Sequence, residues 1–275
     1  MLQPSPVGQT SKPEEFPCVT PSKDGGGYES SLVFTWPVGP REAQLSATDV
    51  HVWSTKLDAR EEQVERYWEV LSRDERQRAE RFRFLSDRFR FVVARGVLRM
   101  LLSVYLGTPG SQVRLRYGMF GKPALDAWHE SDLDFNLAHS GELAVYAFTR
   151  LRMVGIDVES ERLGMLMAGV LESSFTTAEQ RALAALPVRR QTLASLTLWS
   201  RKEAYFKALG CGLQQDLSKV EISVPPAAPL LLRCADEDVK QSQWFFYDLQ
   251  PARHFVGTLC VENKAETTFW SWNYP

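Results

Sequence analysis

Hydrophobic and polar positions repeat with two periods along this chain, and the two periods divide it into helices and strands. A helical period marks the charged residues 58–83, residues 86–106 before Gly107 and Pro109, and residues 189–209 before Gly210 and Gly212. Further helices are predicted at 164–173 and after a Thr176–Glu179 capping box. Strands are predicted at 47–57, 112–118, 133–140, 143–149, 154–160, 220–224, 230–234, 243–248 and 254–262. Because helices and strands follow in mixed order without regular βαβ units, the predicted fold class is α+β.

The amino terminus differs in composition from the rest of the chain. Residues 1–31 are rich in Pro, Ser, Gly and charged residues, which predicts a disordered extension. The stretch also lacks a basic segment followed by an apolar one, so it is not a secretory signal. Ordered sequence is expected to begin near SLVFTW, residues 31–36, or near ATDVHVWSTKL, residues 47–57, which alternates like a strand.

Composition is that of an ordinary globular protein, with a net charge of −2 and 24% charged residues. It gives no indication of a nucleic-acid or membrane partner. The most apolar run, FVVARGVLRMLLSVYL, is interrupted by Arg95 and Arg99, which excludes a transmembrane span. The four cysteines form no CxxC pair, so neither a disulfide framework nor a zinc site is implied, and a reducing cytoplasm is predicted.

Two carboxylates lie on one face of the strand VGIDVES. Alternation turns Asp157 and Glu159 to the side opposite the aliphatic residues. Neighbouring carboxylates repel each other, and Mg²⁺, which is held by one or two carboxylates together with substrate phosphates, would remove that repulsion. The alternative is a solvated polar face on a half-buried strand.

A second stripe lies on the helix LWSRKEAYFKALGCGL. Trp199, Glu203 and Lys207 follow one another at steps of four residues and therefore share one helix face. A solvated Glu–Lys surface pair is the alternative to an active-site stripe.

Several residues are candidates for phosphate contacts. His139 and Ser140 end the apolar strand FNLAHSGE, and Lys122 lies in YGMFGKPAL. Arginine, the residue of bidentate phosphate recognition, is dense between residues 73 and 99, at positions 73, 76, 78, 81, 83, 88, 90, 95 and 99. The alternatives are a structural histidine and a solvated helical surface.

The motifs GKPAL, FNLAHSGE, GIDVE and WSRKEAYFKALGCGL, in this order and at these separations, resemble the Sfp-type 4′-phosphopantetheinyl transferases of the Trp and Lys-Glu-Ala branch. The resemblance covers residues 46–262. It implies a pseudo-dimer of two similar α+β halves, 46–151 and 152–262, with coenzyme A and the active site in the cleft between them.

By this resemblance, Asp157, Glu159 and Glu203 look like Mg²⁺ ligands in the second half. Asp157 and Lys207 would lie at the pyrophosphate of coenzyme A. Glu203, directly or through a metal-bound water, is the candidate base, and Lys207 would stabilise or protonate the departing phosphate.

The nucleotide contacts implied by the resemblance are His139 at a phosphate, Lys122 at the nucleotide and, by looser alignment, Arg78 and Arg90. One departure concerns the position before His139. The family often has Ser there, whereas this chain has Ala138, and Ser140 is a candidate substitute for the missing hydroxyl.

The implied reaction moves the phosphopantetheine arm of coenzyme A to a serine of an apo-carrier protein of fatty acid, polyketide or nonribosomal peptide synthesis, and releases 3′,5′-ADP. A monomeric enzyme is expected. Two alternatives are a non-catalytic coenzyme A- or nucleotide-binding module and another Mg²⁺-dependent enzyme acting on pyrophosphates. The apolar segment LGMLMAGVLESSF, residues 163–175, is the predicted carrier-protein docking helix; a helix packed inward is its alternative.

Overall fold

The computed structural model describes residues 36–162, 173–211, 216–234 and 241–273. The predicted extension 1–31, the predicted docking segment except its last three residues, and Gly212 lie outside the described residues. The described residues all belong to one compact unit. No described helix is long and apolar enough to cross a membrane.

The described helices are α1 (Glu61–Val70), α2 (Arg73–Glu80), α3 (Leu85–Leu106), α4 (Thr177–Ala184) and α5 (Val188–Leu209). The strands are β1 (Asp49–Lys56), β2 (Leu115–Tyr117), β3 (Pro123–Leu125), β4 (Leu133–Ser140), β5 (Leu143–Arg150), β6 (Val154–Ser160), β7 (Glu221–Ile222), β8 (Leu231–Arg233), β9 (Trp244–Leu249), β10 (Phe255–Glu262) and β11 (Glu266–Ser271). The predicted mixture of helices and strands, and with it the α+β class, is confirmed.

Most predicted helix limits agree with the structure. Gly107 and Gly210 end α3 and α5 with φ of 63° and 71°, in the left-handed region that suits glycine. The capping box of Thr176 and Glu179 opens α4 as predicted. The single helical region 58–83 is wrong, because Ser72 breaks it by starting a second helix with its own capping box.

Two sheets dominate the fold. The first has the strand order β11-β1-β5-β4, with β11 parallel to β1, and the second has the order β6-β10-β9. Strands β2 and β3, and β7 and β8, form two short hairpins. Strand β11 was not predicted. It brings the end of the chain back to β1, where Trp270 and Trp272 pack against the first core.

Three groups of buried side chains hold these elements together. The first lies between helices α1 to α3 and the first sheet, and the second lies around α5. The third joins aliphatic residues of β1 and β5 to those of β6 and β10. Strand β6, the edge strand of the second sheet, therefore lies beside β4, the edge strand of the first sheet, with α5 close by. The division into two similar halves remains a prediction.

Candidate active site

Strand β6 fixes the position of the predicted acidic pair. It is hydrogen-bonded along its length to β10, in a register that places Thr258 opposite Asp157 and Val256 opposite Glu159. This register turns the aliphatic residues of β6 into the third core and leaves both carboxylates on the other side. Asp157 is nevertheless buried, at 2% exposure, because α5 covers it.

Gly155 allows the close approach of β6 and α5. A Cβ atom at this position would lie 2.0 Å from the backbone oxygen of Ala204 and 2.3 Å from the backbone nitrogen of Ala208. Only glycine permits backbone contact this close. The contact brings Asp157, two residues further along the strand, to the turn of α5 that carries Glu203 and Lys207.

An ion pair crosses from helix to strand at this point. The Nζ atom of Lys207 lies 2.6 Å from Oδ1 of Asp157, with side-chain exposures of 30% and 3%. Glu203, one turn before Lys207, is buried. The structure thus brings together the strand carboxylates and the helix stripe, and the two motifs form one site.

Two carboxylate oxygens in this site are left without a partner. Oδ2 of Asp157 and Oε1 of Glu203 are buried and accept no hydrogen bond from the described residues. Buried polar atoms in native proteins are nearly always hydrogen-bonded, and buried anions are paired or coordinate metals. Both oxygens could therefore accept hydrogen bonds or bind a cation.

The electrostatics of the site agree with an excess of carboxylates. Desolvation and the charge of Asp157 raise the pKa of Glu159 to about 7, against the opposing effects of Ser140, Lys207 and Trp199. Desolvation likewise raises the pKa of Glu203 to about 7, with Lys207 opposing the shift. The three carboxylates in turn raise the pKa of Lys207 above its usual value, although desolvation acts in the opposite direction.

Ser140 contacts the acidic pair. Its hydroxyl donates a hydrogen bond to Oε2 of Glu159 at 2.9 Å and accepts one from the backbone N–H of Ser160 at 3.1 Å. A side-chain hydrogen bond with Trp199 also lowers the pKa of Glu159. The hydroxyl of Ser140, considered above as a phosphate contact, is thus engaged with Glu159, and Ala138, the residue before His139, is buried.

Other side chains of β4 bond to β6 in the same way. Oδ1 of Asn136 accepts the N–H of Ile156 at 2.9 Å, and Oδ2 of Asp134 accepts the N–H of Val154 at 3.4 Å. Each of these bonds, like that of Ser140, joins residues that are 20 apart in sequence. The constant offset means that β4 and β6 run in the same direction, with side chains taking the place of a backbone ladder.

His139 lies where cations from three helices converge. The residue is exposed, but desolvation of its ring and then the charges of Lys207, Arg95 and Arg78 lower its pKa. The positive side chains come from α5, α3 and α2, respectively. The predicted histidine and Arg78 therefore lie in one electropositive region next to the carboxylates.

Lys122 and Arg90 make contacts of their own. Lys122 Nζ lies 3.1 Å from the backbone oxygen of Val154 and 3.4 Å from Oδ2 of Asp134, which ties the β2–β3 hairpin to the start of β6. Arg90 Nη2 lies 3.4 Å from Asp58, and its Nε is buried without a partner among the described residues. Neither contact involves the acidic cluster.

Within the described residues, no three His, Cys, Asp or Glu side chains are arranged as a ready set of metal ligands. Lys207 supplies the positive charge next to Asp157 instead. Any cation would therefore be bound together with a rearrangement of this ion pair or with oxygens from a substrate.

Comparison with known proteins identifies the family. Residues 55–150 match the sequence profile "4′-phosphopantetheinyl transferase, N-terminal", and residues 153–260 match the profile of the 4′-phosphopantetheinyl transferase superfamily. The 4′-phosphopantetheinyl transferase HetI of a Nostoc species is 35% identical over 241 residues, which cover 87% of this chain and 99% of that protein. The chain belongs to the 4′-phosphopantetheinyl transferases. The resemblance inferred from the four motifs is confirmed.

A more distant sequence match and a match to a solved structure are also found. The 4′-phosphopantetheinyl transferase Sfp of Bacillus subtilis is 27% identical over 162 residues, which cover 59% of this chain and 70% of that protein. A holo-(acyl-carrier-protein) synthase from Bacillus anthracis, solved in complex with coenzyme A (3′,5′-ADP), covers 40% of this chain and 96% of its own, with 22% identity and a TM-score of 0.34.

One candidate residue was not selected from the sequence. Arg95 was counted among nine arginines, but the structure buries it near His139 with its Nη1 atom unpartnered among the described residues. The available signal was an arginine inside the most apolar run of the chain. The same signal marks Arg99, which has several bonding partners, so sequence alone could not separate the two.

Proposed function

We propose that this transferase moves the 4′-phosphopantetheine arm of coenzyme A to a serine hydroxyl of an apo-carrier protein and releases 3′,5′-ADP. Besides membership of the family, one structural observation supports the proposal. Where β6 meets α5, buried oxygens of Asp157 and Glu203 are left without partners beside the ammonium of Lys207. Such an arrangement suits the binding of a polyphosphate together with its cation.

The donor set fits Mg²⁺. Asp157, Glu159 and Glu203 supply carboxylate oxygens, which are the ligands that Mg²⁺ prefers. Two of these oxygens have no other partner, and the mutual repulsion of the three groups would be relieved by a dication. When bound, Mg²⁺ would neutralise charge on the pyrophosphate of coenzyme A.

Glu203 and Lys207 are the residues proposed to handle protons and charge. The serine oxygen forms a bond to the β-phosphorus as the bond from that phosphorus to the bridging oxygen of 3′,5′-ADP breaks. Glu203, whose pKa of about 7 suits a general base at neutral pH, takes the serine proton, directly or through water. Lys207 stabilises or protonates the departing phosphate.

The nucleotide is proposed to lie on the electropositive side of the site. His139 and Arg78 share that region, and Arg90 and Lys122 are retained as proposed contacts at its margin. We further propose that the chain consists of two similar halves, 46–151 and 152–262, with coenzyme A in the cleft between them. The two family profiles, which meet between residues 150 and 153, support this division.

The partner and the setting of the reaction complete the proposal. The carrier protein would dock on the segment 163–175, and the enzyme would act as a monomer in the cytoplasm. The three described cysteines, Cys211, Cys234 and Cys260, are free thiols, which suits a reducing compartment.

The decisive experiment incubates the protein with coenzyme A, Mg²⁺ and a panel of apo-carrier proteins, and measures carrier mass. We expect a mass gain of one phosphopantetheine arm with at least one carrier. Asp157→Asn should reduce the rate by about 10²- to 10³-fold, in the range of losses for removing one electrostatic group from a reaction site. The matched control is Asp132→Asn, since Asp132 pairs with Arg150 beside the opposite end of β4. Release of 4′-phosphopantetheine and 3′,5′-ADP from coenzyme A without carrier modification would instead favour a hydrolase of the pyrophosphate.

A further inference from the structure

Arg95 is a buried cation without a counter-ion in the described part of the chain. It lies in the middle of α3 at 7% exposure. Its Nη1 atom is buried and has no hydrogen-bond partner there, and no described carboxylate comes within ion-pair distance. Burying an unpaired guanidinium is costly, and arginines are rarely found in this state unless something else supplies the anion.

The same helix shows how a buried arginine is satisfied. One turn later, Arg99 is 2% exposed, donates from Nε to Glu75 at 2.5 Å, and donates from Nη1 to the backbone oxygens of Gly110 and Val113 at 3.0 and 2.8 Å. The first half of the fold can therefore provide acceptors for a buried arginine. It provides them for Arg99 and not for Arg95.

The surroundings of Arg95 are aromatic and positively charged. Its guanidinium lies 5.8 Å from the ring centre of Phe91 and 5.7 Å from that of Tyr117. The guanidinium of Arg78 lies 5.4 Å from the same Phe91 ring, and both arginines act on His139. Two guanidinium groups, from α2 and α3, thus lie at the same aromatic ring, and an anion bound between them would relieve their mutual repulsion.

We propose that Arg95 donates hydrogen bonds to a phosphate group of the bound substrate. The inference rests on the proposed function, because coenzyme A is the polyphosphate that the site would hold. The planar guanidinium is suited to a phosphate, since its donors match two phosphate oxygens at once. The rings of Phe91 and Tyr117 lie within cation–π distance of the guanidinium and help to hold it in place, while Nη1 has no partner among the described residues.

A substitution to methionine separates a ligand contact from a structural role. Arg95→Met fills the same space without charge, so the ligand-free protein should melt at the same temperature or higher. The Kd for coenzyme A, measured by calorimetry, should rise about 10- to 100-fold, the range expected when hydrogen bonds to a charged group are lost. Arg99→Met is the matched control. It should lower the melting temperature strongly, because it leaves Glu75 buried without its partner.

Two further measurements show which phosphate Arg95 contacts and whether its charge alone is sufficient. If Arg95 binds the ribose 3′-phosphate, Arg95→Met should weaken the binding of coenzyme A but not that of dephospho-coenzyme A. If it binds the pyrophosphate, the binding of both ligands should be weakened. Arg95→Lys keeps the charge but not the fork, so its Kd should lie between those of the parent protein and Arg95→Met.

Unchanged affinity of Arg95→Met for both ligands would overturn the assignment of Arg95 alone. A melting temperature well below that of the parent protein, with affinity retained in Arg95→Lys, would also overturn it, because the residue would then be structural. Failure of the parent protein itself to bind coenzyme A would overturn the proposed function as well.

Discussion

Two lysines of helix α5 both form ion pairs, but their surroundings differ. Lys202 is fully buried, and its Nζ lies 2.6 Å from Glu179, which is 1% exposed. The same ammonium donates to three backbone oxygens at 2.8 to 3.1 Å, those of Ser174, Leu217 and Val220. An ammonium has three donors, so this one is fully satisfied by the protein.

Lys207, five residues later, lies in a more exposed and less completely bonded environment. Its side chain is 30% exposed and pairs with Asp157, while oxygens of Asp157 and Glu203 remain without partners. Single unpartnered oxygens occur elsewhere in the described residues, at Glu75 and Ser200, and Thr258, opposite Asp157 on β10, has another. What distinguishes the site is that two carboxylates from different elements meet with open oxygens. We infer that polar groups with all their hydrogen bonds made hold the fold together, and that the unpartnered carboxylate oxygens of Asp157 and Glu203 mark the proposed ligand site.

The sharpest test of this contrast makes the same substitution at both lysines. Lys202→Met should lower the free energy of unfolding by about 3–5 kcal/mol, because Glu179 is left buried and uncompensated. Lys207→Met should cost less, since water reaches the site and its carboxylates can take up protons. Urea denaturation of both variants measures the difference.

Added Mg²⁺ serves as the control for that pair. It should restore part of the stability of Lys207→Met, whose carboxylates could then bind the ion, and should leave Lys202→Met unchanged. Carrier modification by Lys207→Met should nevertheless be severely reduced. Equal losses of stability in the two variants, with no response to Mg²⁺, would refute the distinction between a structural and a functional lysine.

The pH dependence of stability offers a second test. In the cation-free protein the pKa values of Glu159 and Glu203 are raised from 4.5 to about 7, so the folded state holds protons that the unfolded chain releases. Stability should therefore be greatest below the ordinary glutamate pKa and fall as pH rises toward about 7. Denaturation curves at about pH 5 and about pH 8 measure this slope.

Glu203→Gln should make the slope shallower, because one of the two shifted groups no longer titrates. Mg²⁺ should flatten it in the parent protein by favouring the charged carboxylates. A slope that is identical in the parent protein, in Glu203→Gln and in Mg²⁺ would show that these carboxylates do not share one environment.

Much of this arrangement could be predicted from local pattern. The helix stripe of Trp199, Glu203 and Lys207 and the strand pair of Asp157 and Glu159 follow from periods of 3.6 and 2 residues. Capping signals placed the start of α4 and the end of α5. These features depend on neighbours in sequence, which is why periodicity and caps were sufficient.

Long-range contacts explain what could not be predicted. The motif RKEAYFK contains both lysines, and nothing local separates Lys202 from Lys207. Their roles differ because carbonyl groups 15, 18 and 28 residues away converge on Lys202. Strand β11 was missed for the same reason, since its register is set by β1, more than two hundred residues earlier. The approach of β6 to α5 at Gly155 likewise became visible only in the structure.

The smallest expected effect concerns two serine hydroxyls that differ as the lysines do. Ser140 bonds to Glu159 and to the backbone of β6, whereas Ser200 on α5 is fully buried with its hydroxyl unpartnered among the described residues. Ser140→Ala should weaken cation binding about 10-fold, the lower end of the loss seen when a residue that orients a metal ligand is removed. Mn²⁺ titration in the presence of coenzyme A, followed by the electron paramagnetic resonance of free Mn²⁺, measures this directly.

Ser200→Ala is the matched control, because it removes the same atoms from an equally buried position. It should leave cation affinity unchanged and should not lower stability, since no hydrogen bond is lost and a buried polar group is removed. If Ser140→Ala keeps full Mn²⁺ affinity, the hydroxyl of Ser140 does not orient the carboxylate of Glu159 for the cation. If Ser200→Ala weakens cation binding equally, the two hydroxyls do not differ in function. The contrast between bonded and unpartnered polar groups is then wrong for these two serines.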